Sequence, residues 1–167
     1  MSSSDYDLSL LGVSIRLAID QDGAAVRALA RNAYQQYVAA EGSEPEPMRA
    51  DYAYLVSLRN TWLAEHQGEV VGLLVLEPHS NYLLLDNIAV AASWRGKGVG
   101  RLLMDWSESQ AHAMGLPEVR LYTGQVMTQN RYYYAARGYV ESRRAFENGH
   151  HRVYYTKLIS GKRDFHV

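Results

Sequence analysis

Residues 94–100 read WRGKGVG, set between the apolar run NIAVAAS and the periodic stretch RLLMDWSESQAHAM. Three glycines alternate with other residues, and Arg95, Lys97 and Arg101 bring cations to the same few positions. A helix N-terminus leaves its first N–H groups unpaired and carries partial positive charge, so it attracts anions. Glycine lets a phosphate reach that backbone where a side chain would hold it off. Strand 81–91, loop 93–98 and helix 98–114 therefore read as a phosphate cradle. The same residues also fit a glycine-rich turn with solvated cations, and the loop alone does not separate the two readings.

Two familiar phosphate loops are excluded. A Walker loop needs Lys-Ser or Lys-Thr after its last glycine, whereas Gly100 is followed by Arg101. A dinucleotide fingerprint needs G-x-G-x-x-G, but Gly96-x-Gly98 continues as Val99, Gly100 and Arg101. It also wants an acid at the end of the next strand, and Glu118 sits at that strand's start.

Elsewhere the chemistry is sparser. Asp86 is an acid inside an apolar run, which is costly unless the group is paired or functional. A salt bridge or a strand-end cap explains it as well as a general base does. Tyr132, Tyr133 and Tyr134 form a run that fits amphipathic packing on a helix. The histidines lack metal-ligand spacing: His150 and His151 share a turn, and His66, His79, His112 and His166 are scattered. No metal is expected.

The elements that must hold these residues follow from composition and period. The chain has 167 residues, 47% hydrophobic and 21% charged, with formal charge −1. That near-neutrality argues against a nucleic-acid binder. No run of about 18 apolar residues marks a membrane span, and MSSSDYD lacks a signal-peptide pattern. Cysteine is absent, which removes disulfides, thiolate metal sites and cysteine nucleophiles. A cytoplasmic location is the default expectation. Thirteen tyrosines stand against two phenylalanines, so some of their hydroxyls should line something polar.

Residues 1–12 read as a loose tail and VSIRLAI (13–19) as a strand. Asp20 or Asp22 can then cap a helix through AAVRALARNAYQQYVAA, with Val26, Leu29, Ala30, Ala33 and Tyr37 on one face. A shorter helix is expected around RADYAYLVSLR, then a hairpin from TWLAEH through QGE to VVGLLVLEP. The apolar run 81–91 reads as a central strand covered on both faces. After the loop, Val99, Leu102, Leu103 and Trp106 recur at helical spacing until Gly115 and Pro117. EVRLYT is a strand, TQNRYYYAAR a helix closed by Gly138, and YVESRRAF and HRVYYTKLI two strands joined at ENGH. The order β-α-α-β-β-β-α-β-α-β-β makes one α/β domain over 13–159, with a C-terminal tail over 160–167.

With these elements in place the sequence resembles the GCN5-related N-acetyltransferases, the GNAT family. Their pyrophosphate motif, (Arg/Gln)-x-x-Gly-x-(Gly/Ala), is matched by Arg95, Gly98 and Gly100 in RGKGVG. A second family signature, Asn, then Tyr four residues on, then Gly-Tyr or Gly-Phe, is matched by Asn130, Tyr134, Gly138 and Tyr139. The matching segments cover roughly residues 60–159.

The resemblance implies a mixed, mostly antiparallel sheet with helices on both faces. It also implies direct acetyl transfer from acetyl-CoA to an amine of a small molecule, peptide or protein. Backbone from Gly96 to Gly100, with Arg95, Lys97, Val99 and Arg101, would take the pyrophosphate. The strand edge at Ile88, Ala89 and Val90 would pair with the pantetheine arm, the Val90 N–H polarising the thioester carbonyl. Asn130, with Tyr133 and Arg137 from the same helix, would contact the coenzyme. Tyr134 would protonate the leaving thiolate, leaving Tyr132 and Tyr133 mainly to packing. Asp86 is the candidate base. Glu41, Glu44 and Asp51 lie in the region that covers the acceptor in related folds. The family often dimerises, so a homodimer stays open. The other functional class is a catalytically silent coenzyme-A-binding module on the same fold.

Overall fold

A computed structural model describes residues 12–159, so the expected tails fall outside it apart from Gly12. The described chain forms two units, the first running up to Leu76 and including Asp86–Trp106. In it β1 (Val13–Leu17) pairs antiparallel with β2 (Thr61–His66), which returns as β3 (Glu69–Pro78). Gln67 and Gly68 make that turn at φ 49° and 81°, the positive pair that a tightly twisted two-residue hairpin requires. Val71 and Leu73 to Leu76 are buried, giving β3 the apolar run expected of a central strand.

Helix α1 (Gly23–Tyr34) buries Val26, Leu29, Ala30, Ala33 and Tyr34. The expected capping carboxylate is used elsewhere. Asp22 occupies the cap position, but its oxygens accept from Arg16 at 2.7 and 2.9 Å and from the Ile19 N–H at 2.7 Å. The helix also stops sooner than its period suggests. Residues Gln35–Tyr37 tighten into a 3₁₀ turn before α2 (Val38–Glu41), and Gly42 ends the run at φ 73°. The helix expected around residues 49–59 is present as α4 (Tyr52–Ser57), and an extra short helix, α3 (Glu46–Arg49), forms in the stretch expected only to break the preceding helix. Extended Ala50 (ψ 147°) separates them, and the Asp51 carboxylate starts α4 by accepting from the Tyr54 N–H.

Strand β4 (Leu83–Val90) corrects a second expectation. Only Leu83, Leu85, Asn87 and Ala89 are buried, and the alternate residues are half-buried. One face is therefore packed and includes a polar side chain. Helix α5 (Val99–Ala113) begins directly after the glycine loop. Its buried Val99 and Leu103 close against β3 at Gly72, where an added Cβ would meet each of them at 3.0 Å and Ala64 Cβ at 3.2 Å.

The second unit comprises Glu77–Leu85 and the chain from Ser107 onward. Leu83–Leu85 pair in parallel with Val119–Leu121 of β5 (Glu118–Gly124). β5 then pairs antiparallel with β7 (His150–Leu158), and β7 with β6 (Val140–Glu147). Asn148 and Gly149 turn the last hairpin at φ 50° and 79°. Helix α6 (Thr128–Ala136) precedes β6, and Gly138 follows it at φ 98°. The strands form one seven-stranded, mostly antiparallel sheet in the order β1-β2-β3-β4-β5-β7-β6. The architecture is mixed α/β, as expected.

Candidate active site

The glycine loop has the backbone an anion cradle needs. Gly96 and Gly98 sit at φ 73° and 93°, a region costly for any residue with a Cβ. No atom lies within 4 Å of a Cβ placed at Gly96, and one at Gly100 would meet only Val90 Cγ2, at 3.7 Å. The α5 ladder starts with Leu102 N–H to Gly98 C=O at 3.1 Å. Val99 and Gly100 thus open the first turn of a 15-residue helix, where backbone N–H groups find no acceptor within the helix itself. Open space, positive dipole and left-handed glycines together fit a phosphate. The cations are placed less simply. Lys97 Nζ lies 4.8 Å over the Trp94 ring, and Arg95 Nη2 donates to the Ala33 carbonyl of α1 at 2.8 Å.

On β4, Asp86 and Ile88 alternate with buried Asn87. Tyr34 Oη lies 2.6 Å from Asn87 Oδ1 and 2.8 Å from the Ile88 carbonyl, so its one proton is shared between two acceptors. Asn87 Nδ2 donates to Tyr52 Oη at 2.8 Å, and the Tyr52 hydroxyl donates to the Pro47 carbonyl. Burial pushes the Tyr52 phenol well above its ordinary value; the Asn87 bond opposes this and the Asp86 charge adds to it. Tyr52 thus stays protonated at neutral pH. Sequence reasoning missed Asn87, Tyr34 and Tyr52. The signal available was the excess of tyrosine, and these two hydroxyls do line a polar cluster.

In the second unit, α6 presents its three tyrosines very differently. Tyr132 is 76% exposed and Tyr133 42%, while Tyr134 is buried. Tyr132 therefore does not pack as expected, whereas Tyr133 keeps an edge-on contact with the packed Tyr134 ring. Tyr134 has the Tyr133, Tyr139 and Tyr155 rings 5.7 to 6.2 Å away. Asn130 is half-buried, its amide 3.7 Å from Met127 Sδ. Arg137 Nε pairs with Glu108 at 2.7 Å, and Lys157 pairs with the other Glu108 oxygen. Burial, and next the Glu108 charge, hold the Tyr139 phenol well above its ordinary value.

Two of the acids near the expected acceptor region, Glu44 and Asp51, have partners within the protein. Glu44 pairs with Arg31 at 3.1 Å, and Asp51 caps α4. Among the described residues no group of three or more His, Cys, Asp or Glu side chains could hold a metal ion. Nor is any helix among them long and apolar enough to cross a membrane.

Residues 57–141 match the family model described as the acetyltransferase (GNAT) domain, just over half of the chain. The chain belongs to the GNAT acetyltransferase family. No curated protein matches the sequence closely enough to report. Solved structures repeat the fold at low identity. A GNAT-family acetyltransferase from Staphylococcus aureus aligns at 15% identity and TM-score 0.71, covering 89% of this chain and 99% of its own. The PaiA N-acetyltransferase of Thermoplasma acidophilum, solved with coenzyme A, aligns at 16% and 0.68, covering 85% and 97%. The ribosomal-protein-S18-alanine N-acetyltransferase of Escherichia coli aligns at 14% and 0.66, covering 90% and 97%. This GNAT protein is therefore an acetyltransferase enzyme.

Proposed function

We propose that the protein transfers an acetyl group from acetyl-CoA directly to an amine of a small molecule, peptide or protein. The observation that carries this reading is the glycine loop. Left-handed Gly96 and Gly98 open the first turn of α5, in a segment that also fills the family's pyrophosphate motif. Backbone N–H groups over residues 96–100 would hold the pyrophosphate, with Lys97 and Arg101 adding charge. When bound, the coenzyme supplies an activated thioester.

The β4 edge at Ile88–Val90 receives the peptide-like arm, and the Val90 N–H favours negative charge on a carbonyl oxygen. The Tyr134 hydroxyl gives its proton to a thiolate whose ordinary pKa is about 8.5. Asp86 takes a proton from the amine, directly or through water. Asn130, Tyr133 and Arg137 lie on or beside α6, and Arg137 must share its guanidinium with Glu108 to contact the coenzyme.

Incubating the protein with acetyl-CoA and a panel of small amines, peptides and protein N-termini, while following free thiol, tests the proposal. Acceptor-dependent thiol release is the expected result. Tight coenzyme A binding with no turnover on any amine would leave the silent binding module instead.

A further inference from the structure

Three consecutive residues at the end of α1 grip the segment that carries the coenzyme site. Asn32 Oδ1 accepts from the Ala92 N–H at 3.1 Å. The Ala33 carbonyl accepts from Arg95 at 2.8 Å. Tyr34 reaches Asn87 and the Ile88 carbonyl. The anchored points therefore fall before and after Val90 and again at the entry of the glycine loop.

Each contact has a local cause. Because α1 ends at Tyr34 and continues as a 3₁₀ turn, the Ala33 carbonyl belongs to the helix's last turn, where α-helical N–H donors run out. A guanidinium suits that carbonyl and the negative end of the helix. Tyr34 is buried, so its hydroxyl needs a partner within the protein, and β4 supplies two. On the other side of Asn87, the amide leads through Tyr52 to Pro47. The same cluster is thus tied to the segment between α2 and α4.

We infer that Asn32, Tyr34 and Arg95 are positioning residues: through the last turn of α1 they fix the Ile88–Arg95 backbone that receives the coenzyme. Arg95, in the first place of the pyrophosphate motif, acts through Ala33. The inference rests on the coenzyme reading of the loop, but it makes a claim about the protein before any coenzyme arrives. A direct phosphate ligand leaves the free protein unchanged when removed; a positioning residue does not.

Two measurements on the full chain test it. The first is hydrogen exchange of the segment spanning residues 88–95 in the coenzyme-free protein, followed by mass spectrometry. The second is calorimetric titration with coenzyme A. Tyr34→Phe, Asn32→Ala and Arg95→Ala should each speed exchange of that segment and weaken coenzyme A by about 2- to 13-fold, the worth of a single hydrogen bond. The Asn32→Ala/Arg95→Ala double variant should bind little worse than its weaker parent, since both act through one turn. Unchanged exchange with weakened binding in Arg95→Ala would make Arg95 a phosphate contact and overturn the inference. So would fully additive losses, or three variants that match wild type in both measurements. Failure of the coenzyme reading is told apart by wild type: it would bind no coenzyme A, whatever the variants' exchange. Should Arg95→Ala fail to fold, Tyr34→Phe, which keeps the ring and removes only the hydroxyl, carries the same test.

Discussion

At Gly72 the strand β3 packs against side chains of α5 with no room for a methyl group, and replacing it with alanine should register in both stability and coenzyme A binding. The position has no left-handed backbone, so alanine meets no conformational obstacle and would by itself favour the strand by about 0.5–1 kcal/mol. Sterics oppose it. The new methyl would sit 3.0 Å from Leu103 Cδ1 and Val99 Cγ1 and 3.2 Å from Ala64 Cβ. Carbon pairs prefer about 3.5–4.0 Å, so several tenths of an ångström must be made up. Ala64 is held in the paired strand β2, which leaves the first turn of α5 to move. Overpacking of this kind costs about 1–3 kcal/mol. The net expectation is roughly 1–2 kcal/mol of destabilisation, with Tm falling by about 2–4 °C for each kcal/mol in a chain of this size.

Because the displaced turn begins at Val99, coenzyme A affinity should fall as well. Removing part of the obstacle supplies the control: Gly72→Ala combined with Val99→Ala should lose less than the two single changes summed, by about 1 kcal/mol. Denaturant unfolding gives the stabilities and calorimetry the affinities. If Gly72→Ala is as stable as wild type and binds coenzyme A equally well, the argument from close approach is wrong. If the double variant is strictly additive, Val99 is not the group that must yield.

Other outcomes follow from the same structure. Gly100→Val places a branched side chain in the cradle with only an ordinary contact to Val90, so the fold should survive while coenzyme A binding drops more than about tenfold in calorimetry. Tyr134→Phe keeps the packed ring and removes the proposed acid; kcat should fall by about 10²–10⁴ with acetyl-CoA binding nearly intact, measured by thiol release with a competent amine. The Asp22 carboxyl is held below its ordinary range by the Arg16 hydrogen bonds first and by the Ile19 N–H. Its stabilisation is therefore complete above the unfolded-state value near 3.9 and disappears as pH falls through the lower folded value. Asp22→Asn should cost about 1–2 kcal/mol at pH 7, discounted for the half-exposed Arg16, and the two unfolding curves should converge in strong acid.

Where local pattern and packing agree, the fold was readable. The hairpin from Thr61 to Pro78 has alternation, a Gln-Gly turn and a buried return strand, all local signals. At Gly96 and Gly98 the residue type itself points to the backbone, since both take the positive φ that glycine adopts most easily. Pattern failed where a distant partner decides. Asp22 looked like a helix cap until Arg16 and the Ile19 N–H claimed it. Asn87 was hidden in an apolar run, and its value comes from tyrosines 53 and 35 residues away in sequence. Three adjacent tyrosines carry no record of which one a helix turns inward. Tyr134 is separated from Tyr133 by its angle about the axis of α6, which depends on what that helix packs against.

The division of the chain into two units also sets an order of events during synthesis. The first unit ends at Trp106, so every residue of the glycine loop and of the α1 grip has been made before β5, α6 and the last hairpin exist. At about 5–20 residues per second, the ribosome needs roughly 3–10 s more to reach the end of β7. During that interval Leu83–Leu85 await a pairing partner that has yet to be translated. At this stage the whole glycine loop has been translated, while the codon for Tyr134 has yet to be read.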